Sequence, residues 1–186
     1  MMRRATLHAV LLAACAAASS VDAADPARAD ALQDLYRQLA DPANPDWRRI
    51  QSDILREWSL SGSPAMDLLL RRGREALERG DTRAAIEHLT ALTDHAPEFA
   101  EGWNARATAY FMAGRFGPAL ADIRRTLQLN PNHFGALTGL GRIFEELGQD
   151  ERAMAAYRAA LAIHPHLDEV RAALERLERK STGIDL

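Results

Sequence analysis

The feature that most limits what this chain can fold into is a repeat of 34 residues. Gly80, Gly114 and Gly148 recur at that interval, and so do Ala85, Ala119 and Ala153, and Pro97, Pro131 and Pro165. A fourth column of very small residues reads Gly73, Ala107 and Gly141. Four columns in one register over three cycles mark a copied unit. A unit of this length is one supersecondary element, which can bury its apolar side only against its neighbours.

The columns also say what the unit contains: a helix A, a turn, a helix B and a second turn. Gly80, Gly114 and Gly148 fall where helix A ends, a place that demands left-handed backbone, which glycine adopts without a Cβ penalty. The tiny residues of helix A and the alanines of helix B fall where two helices must cross closely. The prolines stop helix B and fit the turn or the first position of the next helix. Between these marks the apolar residues keep helical spacing, as in Trp103, Ala107, Tyr110 and Phe111, then Leu120, Ile123 and Leu127. Only 6% of the residues are aromatic, and the long stretches of Ala, Leu, Arg and Glu favour helix.

In length and pattern the units at 66–99, 100–133 and 134–167 resemble the tetratricopeptide repeat (TPR). Residues 134–167 carry the family's eight signature positions throughout, in Leu137, Leu140, Gly141, Phe144, Ala153, Tyr157, Ala160 and Pro165. Residues 100–133 give Trp103, Arg106, Ala107, Tyr110, Ala119, Ile123, Thr126 and Pro131. Residues 66–99 give Leu69, Arg72, Gly73, Ala76, Ala85, Leu89, Leu92 and Pro97. Arg72 and Arg106 stand where the family has Leu, and Leu92 where it has a small residue, so local repacking is expected there. The resemblance implies an all-α fold, a right-handed α-solenoid of three TPR helix pairs with an N-terminal helical hairpin and a C-terminal capping helix.

The flanks fit that reading. Residues 24–65 are expected to form an N-terminal helical cap, with Leu32, Leu35, Tyr36 and Leu39 on one helix and Trp47, Ile50, Ile54 and Trp58 on the next. Asp41-Pro42-Ala43-Asn44-Pro45 separates them, and Asn44 and Ser63 are the expected helix caps. Residues 168–180 are expected to be a capping helix that buries Val170, Leu174 and Leu177, with 181–186 a flexible tail.

Residues 1–23 read as a signal peptide. A basic start at Arg3 and Arg4 precedes an apolar run from Ala5 to Ala18, and Val21 and Ala23 suit cleavage before Ala24. That predicts a periplasmic protein. The alternative is a membrane-anchored lipoprotein, since Leu12-Ala13-Ala14-Cys15 resembles a lipoprotein box with Cys15 as the lipidation site. Only in that case does the membrane become a partner. Arg3-Arg4 faintly resembles a twin-arginine signal, with Thr6 where a large apolar residue is usual.

Several function classes are disfavoured. A formal charge of −3 offers no basic surface for nucleic acid. A single cysteine makes neither an internal disulfide nor a Cys-rich metal site. His88, His95, His133, His164 and His166 show no His-Glu-x-x-His spacing, and they are expected to serve helix ends rather than a metal. Trp47, Trp58 and Trp103, at helical spacing, are expected to pack. With no nucleophile elbow and no phosphate loop, no catalytic residue and no cofactor are expected.

The resemblance places binding in the concave groove lined by helix A. The groove positions read Asp67, Leu70, Arg74 and Leu77, then Glu101, Asn104, Thr108 and Phe111, then Gly135, Thr138, Arg142 and Glu145. Arg74, Asn104, Thr108, Phe111, Thr138 and Arg142 are the expected peptide contacts, because cations take carboxylates and Asn can bond a peptide backbone. Leu70 stands where the chaperone carboxylate clamp of this family has its first lysine. The expectation is a non-catalytic adaptor that binds an extended peptide or helix of another protein.

Overall fold

The computed structural model describes residues 26–183, and among these it is helical with no strand. The expected signal peptide, Cys15 and Ile184–Leu186 lie outside the described residues. The elements are α1 (Pro26–Leu39), α2 (Trp47–Trp58), α3 (Pro64–Glu78), α4 (Thr82–His95), α5 (Ala100–Met112), α6 (Phe116–Leu129), α7 (Phe134–Glu146), α8 (Asp150–Ile163) and α9 (Asp168–Ser181). From α4 onward each helix packs on the one before it, and α5 also touches α3 and α7. That is a solenoid with one continuous row of A helices.

The turns repeat as faithfully as the helices. Gly80, Gly114 and Gly148 have φ of 74°, 68° and 67°. In each case the glycine N–H and the next N–H close back on the last turn of helix A, for example Gly80 N–H to Leu77 O (2.9 Å) and Asp81 N–H to Ala76 O (2.9 Å). This paired closure satisfies carbonyls that the helix end would otherwise orphan. After helix B, Ala96, Asn130 and His164 are non-helical, as the residue before a proline must be.

Helix A and helix B of one pair approach most closely at the tiny column. A Cβ on Gly73 would lie 2.5 Å from Leu89 Cγ, and one on Gly141 would run into the Tyr157 ring. The middle pair instead sets Ala107 beside the slimmer Ile123. The departures from the family pattern are compensated in the same way. Leu92 is accommodated by Gly102 of α5, where a Cβ would lie 3.1 Å from its branch atoms. Arg106 makes a bidentate pair with Asp122 of α6, Nε to Oδ2 at 2.7 Å and Nη2 to Oδ1 at 2.9 Å, and donates to Thr93 Oγ1 at 2.8 Å. Its guanidinium also lies 4.8 Å from the Trp103 ring. Arg72, at the same repeat position in the first unit, is simply exposed.

That exposure reflects where the N-terminal hairpin goes. Residues 24–65 were expected to cap the first repeat. Instead Tyr36, Leu39, Ile50, Ile54 and Trp58 are buried in a cluster with Phe134, joined by Ile163 and Leu167, and with no residue of the first repeat. The hairpin lies across the turns that link one helix pair to the next. Trp58 stacks on His133 at 4.1 Å and Trp47 on His166 at 4.9 Å, while His164 meets Gln51 at 3.0 Å. Trp58 Nε1 donates to Tyr36 Oη at 2.8 Å inside the hairpin. The two tryptophans of the hairpin pack on histidine, whereas Trp103 lies against Arg106 and donates to Pro97 O.

The expected helix caps also work differently. Asn44 accepts from Asp46 N–H (3.0 Å) and donates to Gln38 O (3.1 Å), tying the two helices of the hairpin together, and α2 begins only at Trp47. Ser63 holds the extended cap position of α3 without a side-chain cap bond. Asp67 of the first turn instead accepts Ser61 N–H and Oγ–H at 2.8 and 2.6 Å. At the other end α9 buries Val170, Leu174 and Leu177 as expected, but runs to Ser181, one residue into the stretch expected as a flexible tail.

Two substitutions test this packing. Gly141→Ala should lose about 1–3 kcal/mol in urea unfolding through overpacking against Tyr157, although alanine is the better helix former. Asp122→Ala, which strands the Arg106 guanidinium, should lose about 3–5 kcal/mol. The double change Arg106→Leu with Asp122→Leu, which puts the family's Leu at position 106, should restore most of that loss.

Candidate functional site

Between α5 and α7 the concave face opens into a cavity of about 140 Å³. Its floor is built from small side chains, Ala107, Gly135, Ala136 and Gly139, with Ile123 beneath, and its walls are Asn104, Thr108, Phe111, Thr138 and Arg142. Five of the six expected groove residues therefore meet around one cavity. Thr108 and Thr138 turn their hydroxyl hydrogens back onto the carbonyls of Asn104 (3.1 Å) and Phe134 (2.9 Å), which leaves their oxygen lone pairs facing the groove. Arg142 is exposed, with a 3.4 Å contact to Glu169. An exposed pair of that kind contributes little and exchanges readily for a ligand carboxylate.

Arg74 does not join them. Its Nη2 donates to Glu101 Oε1 at 2.6 Å and its Nη1 to Ser59 Oγ at 3.0 Å, so this guanidinium ties the hairpin to the first two repeats. Glu101 and Leu70, also counted as groove positions, are buried. Glu101 takes Arg74 on one side and His133 Nε2 on the other at 2.8 Å, and the Asn104 amide reaches it at 3.4 Å. A carboxylate only accepts, so Asn104 turns its NH2 toward Glu101 and presents its carbonyl oxygen to the groove. Burial pushes the Glu101 carboxyl up, but the His133 hydrogen bond and the Arg74 charge outweigh it and hold the group below its ordinary value.

Nothing in the repeat signature pointed to this junction, in which three polar side chains from three helix pairs converge under Trp58. The one available signal was an acidic residue at a groove position followed by a histidine 32 residues on. His133 was expected at a helix end, and it sits at the N-terminus of α7, where its Nδ1 accepts Ala136 N–H at 3.1 Å. Nδ1 as acceptor leaves the proton on Nε2, which then donates to Glu101. His164 is fully buried between Trp47 and Phe134, with Nδ1 free of any hydrogen bond among the described residues. Among those residues no three acidic, His or Cys side chains gather as a metal site, and no helix is long and apolar enough to cross a membrane.

The tetratricopeptide-repeat profile matches residues 70–133 and 113–168. This chain belongs to the tetratricopeptide-repeat family. A TPR repeat-containing protein of Rhizobium etli is 35% identical over 135 residues, covering 72% of this chain and 66% of the relative. The chain thus spans about two thirds of that relative's length. Among solved structures, the first TPR of Spaghetti (RPAP3) bound to an HSP90 peptide aligns at a TM-score of 0.62, with 24% identity, over 64% of this chain and 98% of that one. MamA aligns at 0.60 with 23% identity, over 74% and 84%. At these identities the structural likeness speaks for the fold. In this TPR protein the hairpin over the turns is an addition to the repeats themselves.

Acid should loosen that addition first. Burial, with a smaller contribution from His166, lowers the His164 pKa from 6.5 to about 4. The folded state therefore prefers the neutral ring, and the unfolded chain binds more protons between those two values. Stability is complete above about pH 6.5 and falls as pH drops toward 4. Urea midpoints followed by tryptophan fluorescence from pH 7.5 to 4.5 should decline over that window and decline less in His164→Gln. A flat profile would mean that His164 carries no such penalty.

Proposed function

We propose that this TPR protein is a non-catalytic adaptor of the bacterial envelope that holds an extended peptide or a helix of another protein in its concave groove. The observation that carries the reading is the α5–α7 cavity. It has an apolar floor of minimal side chains, oxygen acceptors from Asn104, Thr108 and Thr138 directed along it, and one exposed guanidinium, Arg142, at its end. A strand-like ligand matches this pattern, with backbone N–H groups for the acceptors, one side chain for the floor and a carboxylate for the arginine. A related TPR domain is known in complex with a peptide, which supports the same use of the fold here. The titratable groups displaced from their ordinary values, Tyr36, Glu101, Arg106, Tyr157 and His164, are all engaged in contacts between helices or with the hairpin, which favours binding over catalysis.

The reading of residues 1–23 as a signal peptide puts this adaptor in the periplasm. A lipid-anchored accessory subunit of an envelope complex is the second reading, favoured by the Leu12-Ala13-Ala14-Cys15 box. Mass spectrometry of the mature N-terminus separates the two, Ala24 for the first and a diacylated Cys15 for the second. For the groove, the double variant Asn104→Ala with Arg142→Ala should lose at least tenfold in affinity for partners captured from an envelope extract, at unchanged helicity by circular dichroism. Arg74→Ala should act on stability instead. Undiminished capture by the double variant would move the interface elsewhere.

A further inference from the structure

The helix-B side of the solenoid carries a second cleft, whose lining shares only Ile123 with the groove cavity. It lies between α6 and α8 over α7, with a volume of about 420 Å³, and its floor is Leu120, Leu127, Leu140 and Phe144. One repeat earlier the equivalent space is filled, because Arg106 stands at the position of Leu140 and spreads its guanidinium between Thr93 and Asp122. With Leu140 in that place, the later cleft stays open and apolar.

Its rim carries two cations without counter-charges. Arg124 is exposed and makes no ion pair among the described residues. Arg152 lies 3.9 Å from the Phe144 ring and donates to the Gln149 amide, again with no carboxylate. The contrast within the molecule is informative. Arg158, the counterpart of Arg124 one repeat on, pairs at 2.6 Å with Glu178 of α9, a helix that also buries Leu174 and Leu177 in the same cluster as Met154. In a chain whose formal charge is −3, two unpaired arginines over four apolar side chains form a surface complementary to acid.

We propose that this cleft is a second interaction surface, and that it takes an acidic amphipathic helix of another protein. The apolar stripe of that helix would lie on Leu120, Leu127, Leu140 and Phe144, with carboxylates on its flanks reaching Arg124 and Arg152. From Leu120 to Gln128 the cleft follows about 12 Å of α6, so a helix of roughly three turns covers it. Anchors at i, i+3 and i+7 are the usual means by which a helix fills such a channel.

The test uses the full chain and a synthetic 18-residue helical peptide with Leu along one stripe and Glu on both flanks, against a twin in which every Glu is Lys. By fluorescence anisotropy the Glu peptide should bind at least tenfold more tightly than the Lys peptide. Arg124→Glu with Arg152→Glu should reverse that preference, while Asn104→Ala with Arg142→Ala should leave it unchanged. If the reversed pair loses helicity, Arg124→Gln with Arg152→Gln should still weaken the Glu peptide several-fold. No binding of the Glu peptide, binding indifferent to the cleft arginines, or loss only in the Asn104 and Arg142 variant would each overturn the proposal. The last of these outcomes would place the peptide in the groove instead. Binding of anionic vesicles through the same arginines, without binding of the Glu peptide, would overturn it in favour of a membrane surface.

Discussion

The close crossing of helix A on helix B is the contact from which the rest follows. Gly73 against Leu89, Ala107 against Ile123 and Gly141 against Tyr157 bring each pair of backbones together at one point. With that distance set, the apolar residues above and below have one place to go, into the next pair. No pair can bury its exposed stripe alone, so the stack propagates until α9 closes it with a polar outer face. The bulkiest helix-B partner of the three, Tyr157, faces a glycine.

Charge is buried only where several groups hold it. The Arg106–Asp122 pair replaces a leucine at the cost of desolvating two ions, and it survives because Thr93 and the Trp103 ring also take up the guanidinium. Glu101 is held in a similar way by Arg74 and His133. The second cluster has consequences beyond its own stability. It joins the hairpin, through Ser59 and the Trp58–His133 stack, to the orientation of Asn104 at the groove. Loss of the hairpin would therefore be felt by the acceptor that the groove offers a ligand.

The two faces of the solenoid differ in what they ask of a partner. The concave face offers acceptors and a shallow floor, which suits a backbone laid out straight. The helix-B face offers an apolar channel with two cations, which suits a helix with acidic flanks. A protein that uses both could hold two partners at once, and joining two weak contacts in one assembly raises their joint affinity through effective concentration.

The repeat, its helix boundaries and the close-crossing positions were legible in the sequence because they are local and recur. The intervals between Gly80, Gly114 and Gly148 state the turn, and the α4, α6 and α8 boundaries follow it with the same spacing. The groove was legible as far as the family's helix-A positions carry, which gave Asn104, Thr108, Phe111, Thr138 and Arg142. The resting place of the hairpin was not. Tyr36 reaches Asn130 across 94 positions, Gln51 reaches His164 across 113, and Asp41 reaches His166 across 125. An amphipathic stripe such as Leu39, Ile50, Ile54 and Trp58 states that it must be covered, and contains nothing about what covers it. Which of the exposed apolar turns received it, and hence that Arg74 left the groove for Glu101, was decided only when the whole chain packed, because hydrophobic burial rewards area and not sequence position.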